Sequence, residues 1–189
     1  MREPKKIHKY SAKEYLAMEE AAEYRSEFVD GEIFAMAGAS PAHDMICSEC
    51  QRVVGNAILG SGCETHNSNM KVRNENSSVY YYPDLSVVCG EANFDADGIL
   101  MNPVLIFEVL SPSNEAYDRG EKFRRYKQIA SLREYVLITQ SKPQIEVFYK
   151  TEAGFWRHDS YEGLHDFMEL RSLGIQVPLA DIYRRVPFE

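Results

Sequence analysis

The sequence predicts an α/β domain of the α+β kind: a central mixed β-sheet flanked by helices, preceded by an N-terminal helix and a β-hairpin. Three observations carry this. Leu85-Ser-Val-Val88 and Val104-Leu-Ile-Phe107 are continuous apolar runs, as expected of central strands covered on both faces. Helix-spaced apolar residues lie on either side of them, in Met45, Ile46, Val53, Val54, Ala57 and Ile58 and again in Phe123, Tyr126 and Ile129. The chain, 189 residues long, can bury one substantial core and needs no second. A single domain over residues 1–189, with its core at about 11–183, is therefore expected.

Each element has a local cause. Ser11 and Glu14 stand at capping-box spacing, which starts a first helix that is expected to run to about Glu23. The Asp30-Gly31 pair sits between two β-prone runs within Glu27–Phe34, the mark of a tight hairpin whose two central residues need positive φ. Ser40 and Pro41 are suited to the N-cap and first position of the next helix, and Gly60-Ser-Gly62 ends it. Strands are expected in Val79–Cys89 and Val104–Leu110, with a polar β-like segment around Met70–Arg73 before them. Ser111-Pro112-Ser113 breaks the last of these, and a helix is expected over Asp118–Ala130. Glu134–Thr139, Gln144–Tyr149, Gly154–Ser160 and Met168–Val177 read as further strands, and Pro178–Tyr183 as a closing turn.

Composition excludes some functions. No apolar stretch approaches the roughly 20 residues of a membrane-spanning helix, and Met1–Tyr10 is polar and basic without the apolar segment of a secretory signal, so a cytoplasmic protein is expected. Of the four cysteines, Cys47 and Cys50 have C-x-x-C spacing, yet no second pair or histidine pair stands at zinc-finger spacing; reduced structural thiols are expected at Cys47, Cys50, Cys63 and Cys89. The net charge of −8 weighs against broad affinity for nucleic acid. A local basic run at Arg119, Lys122, Arg124, Arg125 and Lys127 could meet a phosphate backbone, although a solvated helix face is the commoner explanation of such a run. Tyr80-Tyr81-Tyr82 reads chiefly as packing.

Acid placement points to chemistry. Asp84 follows Pro83 inside a β-run, and Glu108 lies near the end of the next apolar strand. An ionised carboxylate on a buried strand is costly unless paired or bound to a cation. Two such acids on neighbouring strands suit Mg2+, with Mn2+ as a substitute, because a hard cation takes oxygen ligands and keeps positions for water and a phosphate. Hydrolysis of a phosphodiester is the reaction this favours.

Pro83-Asp84 followed by Glu108-Val-Leu110 resembles the motif of the PD-(D/E)xK nuclease superfamily, with Leu110 where the lysine would stand. The wider pattern, Tyr82-Pro-Asp84, Phe107-Glu-Val-Leu-Ser-Pro112 and Asp118-Arg-Gly-Glu-Lys122-Phe-Arg-Arg-Tyr126, resembles the Uma-type restriction-endonuclease family within that superfamily, in which the lysine is displaced to the following helix. Glu27–Ile33, Gly38–His43 and Leu132–Leu137 are similar to it as well, so the resemblance spans about Ser11 to Tyr183. It implies a restriction-endonuclease-like core and a Mg2+-dependent endonuclease acting on DNA, with a catalytically inactive binding or assembly module on the same fold as the alternative. It also implies roles: Asp84, Glu108 and the backbone carbonyl of Val109 as metal ligands, Lys122 as the displaced lysine and Glu27 as an additional acid. A homodimer is expected, since two symmetric sites serve the cutting of a duplex. His43 has two readings, a phosphate contact or a capping and packing residue.

Overall fold

The computed structural model describes residues 8–36, 38–75 and 78–188; the basic N-terminal stretch read above lies mostly outside them. Helix α1 (Ala12–Ala21) opens with the expected capping box, the Ser11 and Glu14 side chains each bonding the other residue's backbone N–H. It ends two residues short of Glu23. Strands β1 (Ser26–Val29) and β2 (Glu32–Ala35) form the expected hairpin, whose turn places Asp30 at φ 51° and Gly31 at φ 97°. Helix α2 (Pro41–Ala57) is capped by the Ser40 side chain and carries Pro41 in its first turn.

The strand expected over Val79–Cys89 is two strands in two sheets. β4 (Val79–Tyr80) pairs antiparallel with β1, and β5 (Leu85–Cys89) pairs with β3 (Cys63–Asn67) and β6 (Leu105–Leu110). The chain leaves the small sheet β2-β1-β4 and enters the large one across Tyr81–Asp84, where Pro83 has no N–H to give a ladder. The segment at Met70–Arg73 adds only a bridge from Val72 to Tyr81 and Leu100.

After β6 the chain runs through short helical pieces, α3 (Glu115–Tyr117), a π-helical turn (Asp118–Lys122) and α4 (Phe123–Tyr126), then returns as β7 (Glu134–Thr139) parallel to β6. Strands β8 (Gln144–Lys150) and β9 (Trp156–Glu162) continue antiparallel, completing the six-stranded mixed sheet β3-β5-β6-β7-β8-β9. The strand expected over Met168–Val177 is instead a hairpin, β10 (Phe167–Leu170) and β11 (Ile175–Pro178), because Gly174 at φ 65° turns the chain. Helix α5 (Leu179–Ile182) closes the chain.

Strand alternation sorts the core into two layers. Leu105, Phe107 and Val109 of β6 pack with Val136 and Ile138 against Ile46, Cys50 and Val54 of α2, and α5 joins that layer. Ile106 and Leu110 face the crossover helices, among Phe123, Tyr126, Tyr135 and Leu137. Glu108 falls between these two in the alternation and so points into the second layer.

One expectation about cysteine is corrected. Cys63 and Cys89 face each other across the antiparallel β3–β5 pair, 4.0 Å apart at Cα, and form a disulfide; only Cys47 and Cys50 are free thiols. The two lie 26 residues apart in the chain, and only strand register brings them together.

Candidate metal centre

The chain's break at Pro83 has a structural use. Where β5 begins, the Asp84 carboxylate accepts a hydrogen bond from the Val109 N–H at 2.7 Å, just beyond the last ladder pair, Leu85 with Phe107. The acid is thereby fixed beside the C-terminal half of β6, from which Glu108 projects. Across the same corner Glu27, on β1 of the small sheet, accepts from the Tyr82 N–H at 3.3 Å. The acids predicted from sequence thus come from two sheets that meet here.

The crossover supplies the cation. Lys122 ends the π-helical turn, and its Nζ lies 2.8 Å from Glu108 Oε1, 3.1 Å from Glu27 Oε1 and 3.7 Å from Asp118 Oδ1. The rings of Tyr81 and Tyr126 lie 5.2 and 6.0 Å from the ammonium, and the Tyr126 hydroxyl donates to Glu108 at 3.0 Å. A π turn is wider than an α turn and is often found at functional sites; here it spans Asp118 to Lys122, the first and last of its residues. Lys122, Glu108 and Asp118 are buried, while Asp84, Glu27 and His43 retain partial exposure.

Charge does not balance in this cluster. Three carboxylates, Glu27, Glu108 and Asp118, surround one ammonium, and a fourth, Asp84, lies close enough to act on Glu108 and Asp118. Burial pushes Glu108 well above the usual carboxylate range, and the charges of Asp118, Asp84 and Glu27 add to that push against the opposing Lys122. Burial, again opposed by Lys122, raises Asp118 to about 6. Lys122 is held well above its ordinary value because Glu108, Glu27 and Asp118 outweigh the cost of burying it. Asp118 Oδ2 is fully buried and has no hydrogen-bond partner. A deficit of positive charge and an orphaned buried oxygen, with an all-oxygen donor set, fit a hard divalent cation.

His43, in the first turn of α2, brings Nε2 within 3.4 Å of Asp84 Oδ2, and its Nδ1 lies 3.4 Å from Cys47 Sγ one turn on. Asp84 outweighs burial and raises the histidine's pKa. The Ser40 cap fixes this turn by accepting the His43 N–H at 3.1 Å. The structure therefore gives His43 a contact at the site as well as a place in the cap.

The sequence reading missed Asp118, which it met only inside a motif; its i, i+4 relation to Lys122 on one helical segment is the signal that could have found it. It also missed the approach of Cys47. The basic run, by contrast, is not a free strip. Arg119 is tied to Glu115 and Glu146, Arg124 to Glu121, Arg125 to Glu121 and Asp30, and Lys127 lies over Phe123. Tyr80, Tyr81 and Tyr82 are all buried, so packing accounts for the whole triplet. No helix among the described residues is long and apolar enough to cross a membrane.

Comparison with known proteins bears on the family and the fold. The family model Uma2, described as "Putative restriction endonuclease", matches residues 12–180. An uncharacterized protein of Synechocystis sp. (strain ATCC 27184 / PCC 6803 / Kazusa), slr1290, is 37% identical over 180 residues, covering 95% of this chain and 94% of its own. A second from the same organism, sll1609, is 36% identical over 148 residues, covering 77% and 84%. Among solved structures, a chain described as "a putative nuclease belonging to DUF820 from Anabaena variabilis ATCC 29413" superposes with a TM-score of 0.74 over 92% of this chain and 97% of that one, at 16% identity, a likeness of fold.

Proposed function

Given that the chain belongs to the Uma2 family of restriction-endonuclease-like proteins, we propose that it is a metal-dependent endonuclease that hydrolyses DNA phosphodiester bonds. The observation that carries this is the meeting of Glu108, Glu27 and Asp118 around the ammonium of Lys122, with Asp84 fixed beside Glu108's strand by the Val109 N–H.

Asp84, Glu108 and the Val109 carbonyl would hold Mg2+, or Mn2+ in its place. When bound, the ion would acidify a water and offset charge developing on the phosphate. Asp84 is oriented for this by the Val109 N–H, and Glu108 by the Tyr126 hydroxyl. Lys122, held by Glu27 and Asp118 beside Glu108, would offset the charge that a phosphate oxygen gains. Access is from the Asp84, Glu27 and His43 side. Duplex cutting would be served by two copies of the chain, which light scattering at micromolar concentration tests: a monomer would remove the homodimer from the proposal.

The central test is nicking of supercoiled plasmid with Mg2+ or Mn2+. Asp84→Ala and Glu108→Gln are expected to remove at least about 10²-fold of the rate, the scale on which preorganised electrostatic groups act, while both variants stay folded by circular dichroism. No cleavage of any DNA form by the parent protein with either ion would leave the fold serving a binding or assembly role.

A further inference from the structure

We propose that His43, Cys47 and Asp84 form a second metal position, suited to a borderline-soft transition-metal ion such as Zn2+, which competes with the hard-cation site for the Asp84 carboxylate. One ligand atom from each of the three residues can be chosen so that all lie within 4.8 Å of one another. His43 Nδ1 lies 3.4 Å from Cys47 Sγ, and the other ring nitrogen, Nε2, lies 3.4 Å from Asp84 Oδ2. Adjacent ligands of a tetrahedral zinc ion, with bonds of about 2.0–2.3 Å, stand roughly 3.4–3.6 Å apart; each nitrogen meets that spacing with one partner, so an ion bound through one of them needs a turn of the His43 ring to draw in the third ligand from within 4.8 Å.

The construction is local and rigid. His43 and Cys47 are four residues apart on α2, hence on one face of a helix whose start is fixed by the Ser40 cap. Asp84 is pinned from the other side by the Val109 N–H. A thiol, an imidazole and one carboxylate make a donor set different in kind from the all-oxygen cluster beside it, and thiolate ligands select zinc-like ions over magnesium. Three protein ligands leave a fourth position open, as in sites that exchange water or substrate. Without a metal, burial and the Asp84 charge keep Cys47 protonated; binding forms the sulfur–metal bond and releases the thiol proton to solvent. An ion seated here takes Asp84 away from the carboxylate site, so Zn2+ would block the Mg2+-dependent reaction. That consequence rests on the nuclease reading, whereas the binding itself does not.

The test is a Co2+ titration of the whole metal-free chain, with Co2+ standing in spectroscopically for Zn2+. A thiolate-to-cobalt charge-transfer band is expected, together with its bleaching by one equivalent of Zn2+. The band should vanish in Cys47→Ser and Cys47→Ala and persist in Glu108→Gln and Cys50→Ala, and His43→Ala should weaken Zn2+ affinity by more than about tenfold. Absence of the band from the parent protein, or its survival without Cys47, overturns the assignment. A protein that shows the band but never nicks DNA defeats the nuclease reading alone; one that nicks DNA but shows no band defeats this inference alone.

Discussion

Glu134 and Glu108 lie on neighbouring parallel strands, β7 and β6, and both are almost fully buried, at 1% and 3% exposure, yet the molecule treats them in opposite ways. Glu134 accepts from the backbone N–H groups of Arg171 and Ser172 at 2.8 and 2.9 Å and from the Ser172 hydroxyl. Its partners are neutral donors, and they tie the β10–β11 hairpin to the large sheet. Glu108 has one ammonium and one phenol for company, shares the ammonium with two other carboxylates and is pushed toward its neutral form. A satisfied buried acid is mortar between elements. A crowded one stores electrostatic repulsion that only added positive charge relieves.

The sharpest way to break this contrast is to remove the shared cation. Lys122→Met leaves the acids uncompensated and should cost about 3–5 kcal/mol at neutral pH in metal-free protein, with Mn2+ restoring part of it; urea melts with and without the ion measure both. A loss under 1 kcal/mol would mean the acids are not coupled as described.

The pH dependence comes next. Asp118 has a folded pKa of about 6 against an ordinary 3.8, so the folded chain holds this proton more tightly than the unfolded one. Stability from this group is therefore fullest below about pH 4 and is lost as pH rises to about 6, by up to about 3 kcal/mol. Glu108 shifts in the same direction and extends the loss upward. The parent protein measured against Asp118→Asn across pH 4–7 isolates the effect; a difference that does not change with pH would contradict it.

The smallest effects set the two glutamates side by side. Glu134→Ala should cost about 2 kcal/mol through its stranded backbone donors and leave the metal response intact. Glu108→Gln, close in shape, should change metal-free stability by less than about 1 kcal/mol and erase the stabilisation by Mn2+ in thermal melts. Equal behaviour of the two would show the contrast to be wrong.

Legibility in the sequence followed the range of the signal. Ser11 with Glu14, Asp30-Gly31 and Ser40-Pro41 are local devices, and each forms the cap or turn it predicts. The apolar runs of β5 and β6 were equally readable, because both faces of those strands are covered. Hidden features depended on pairing between distant segments: the hand-over from β4 to β5 between sheets, the Cys63–Cys89 disulfide and the approach of Cys47 to Asp84. Asp84 and Glu108 stood out as acids in apolar strands, whereas Asp118 sat in a charge-rich helical run where its burial left no mark. Lys122 was visible through the displaced motif, and its bridge from Glu108 to Glu27 required the two sheets in place.

The corner at Tyr81–Asp84 has a mechanical consequence. Glu27 belongs to the small sheet and Glu108 to the large one, and the Tyr82 N–H reaches Glu27 across 55 residues of chain. Lys122 ties the same two sheets through Glu27 and Glu108, so the spacing of these acids is set by how the sheets pack on each other and by neither sheet alone.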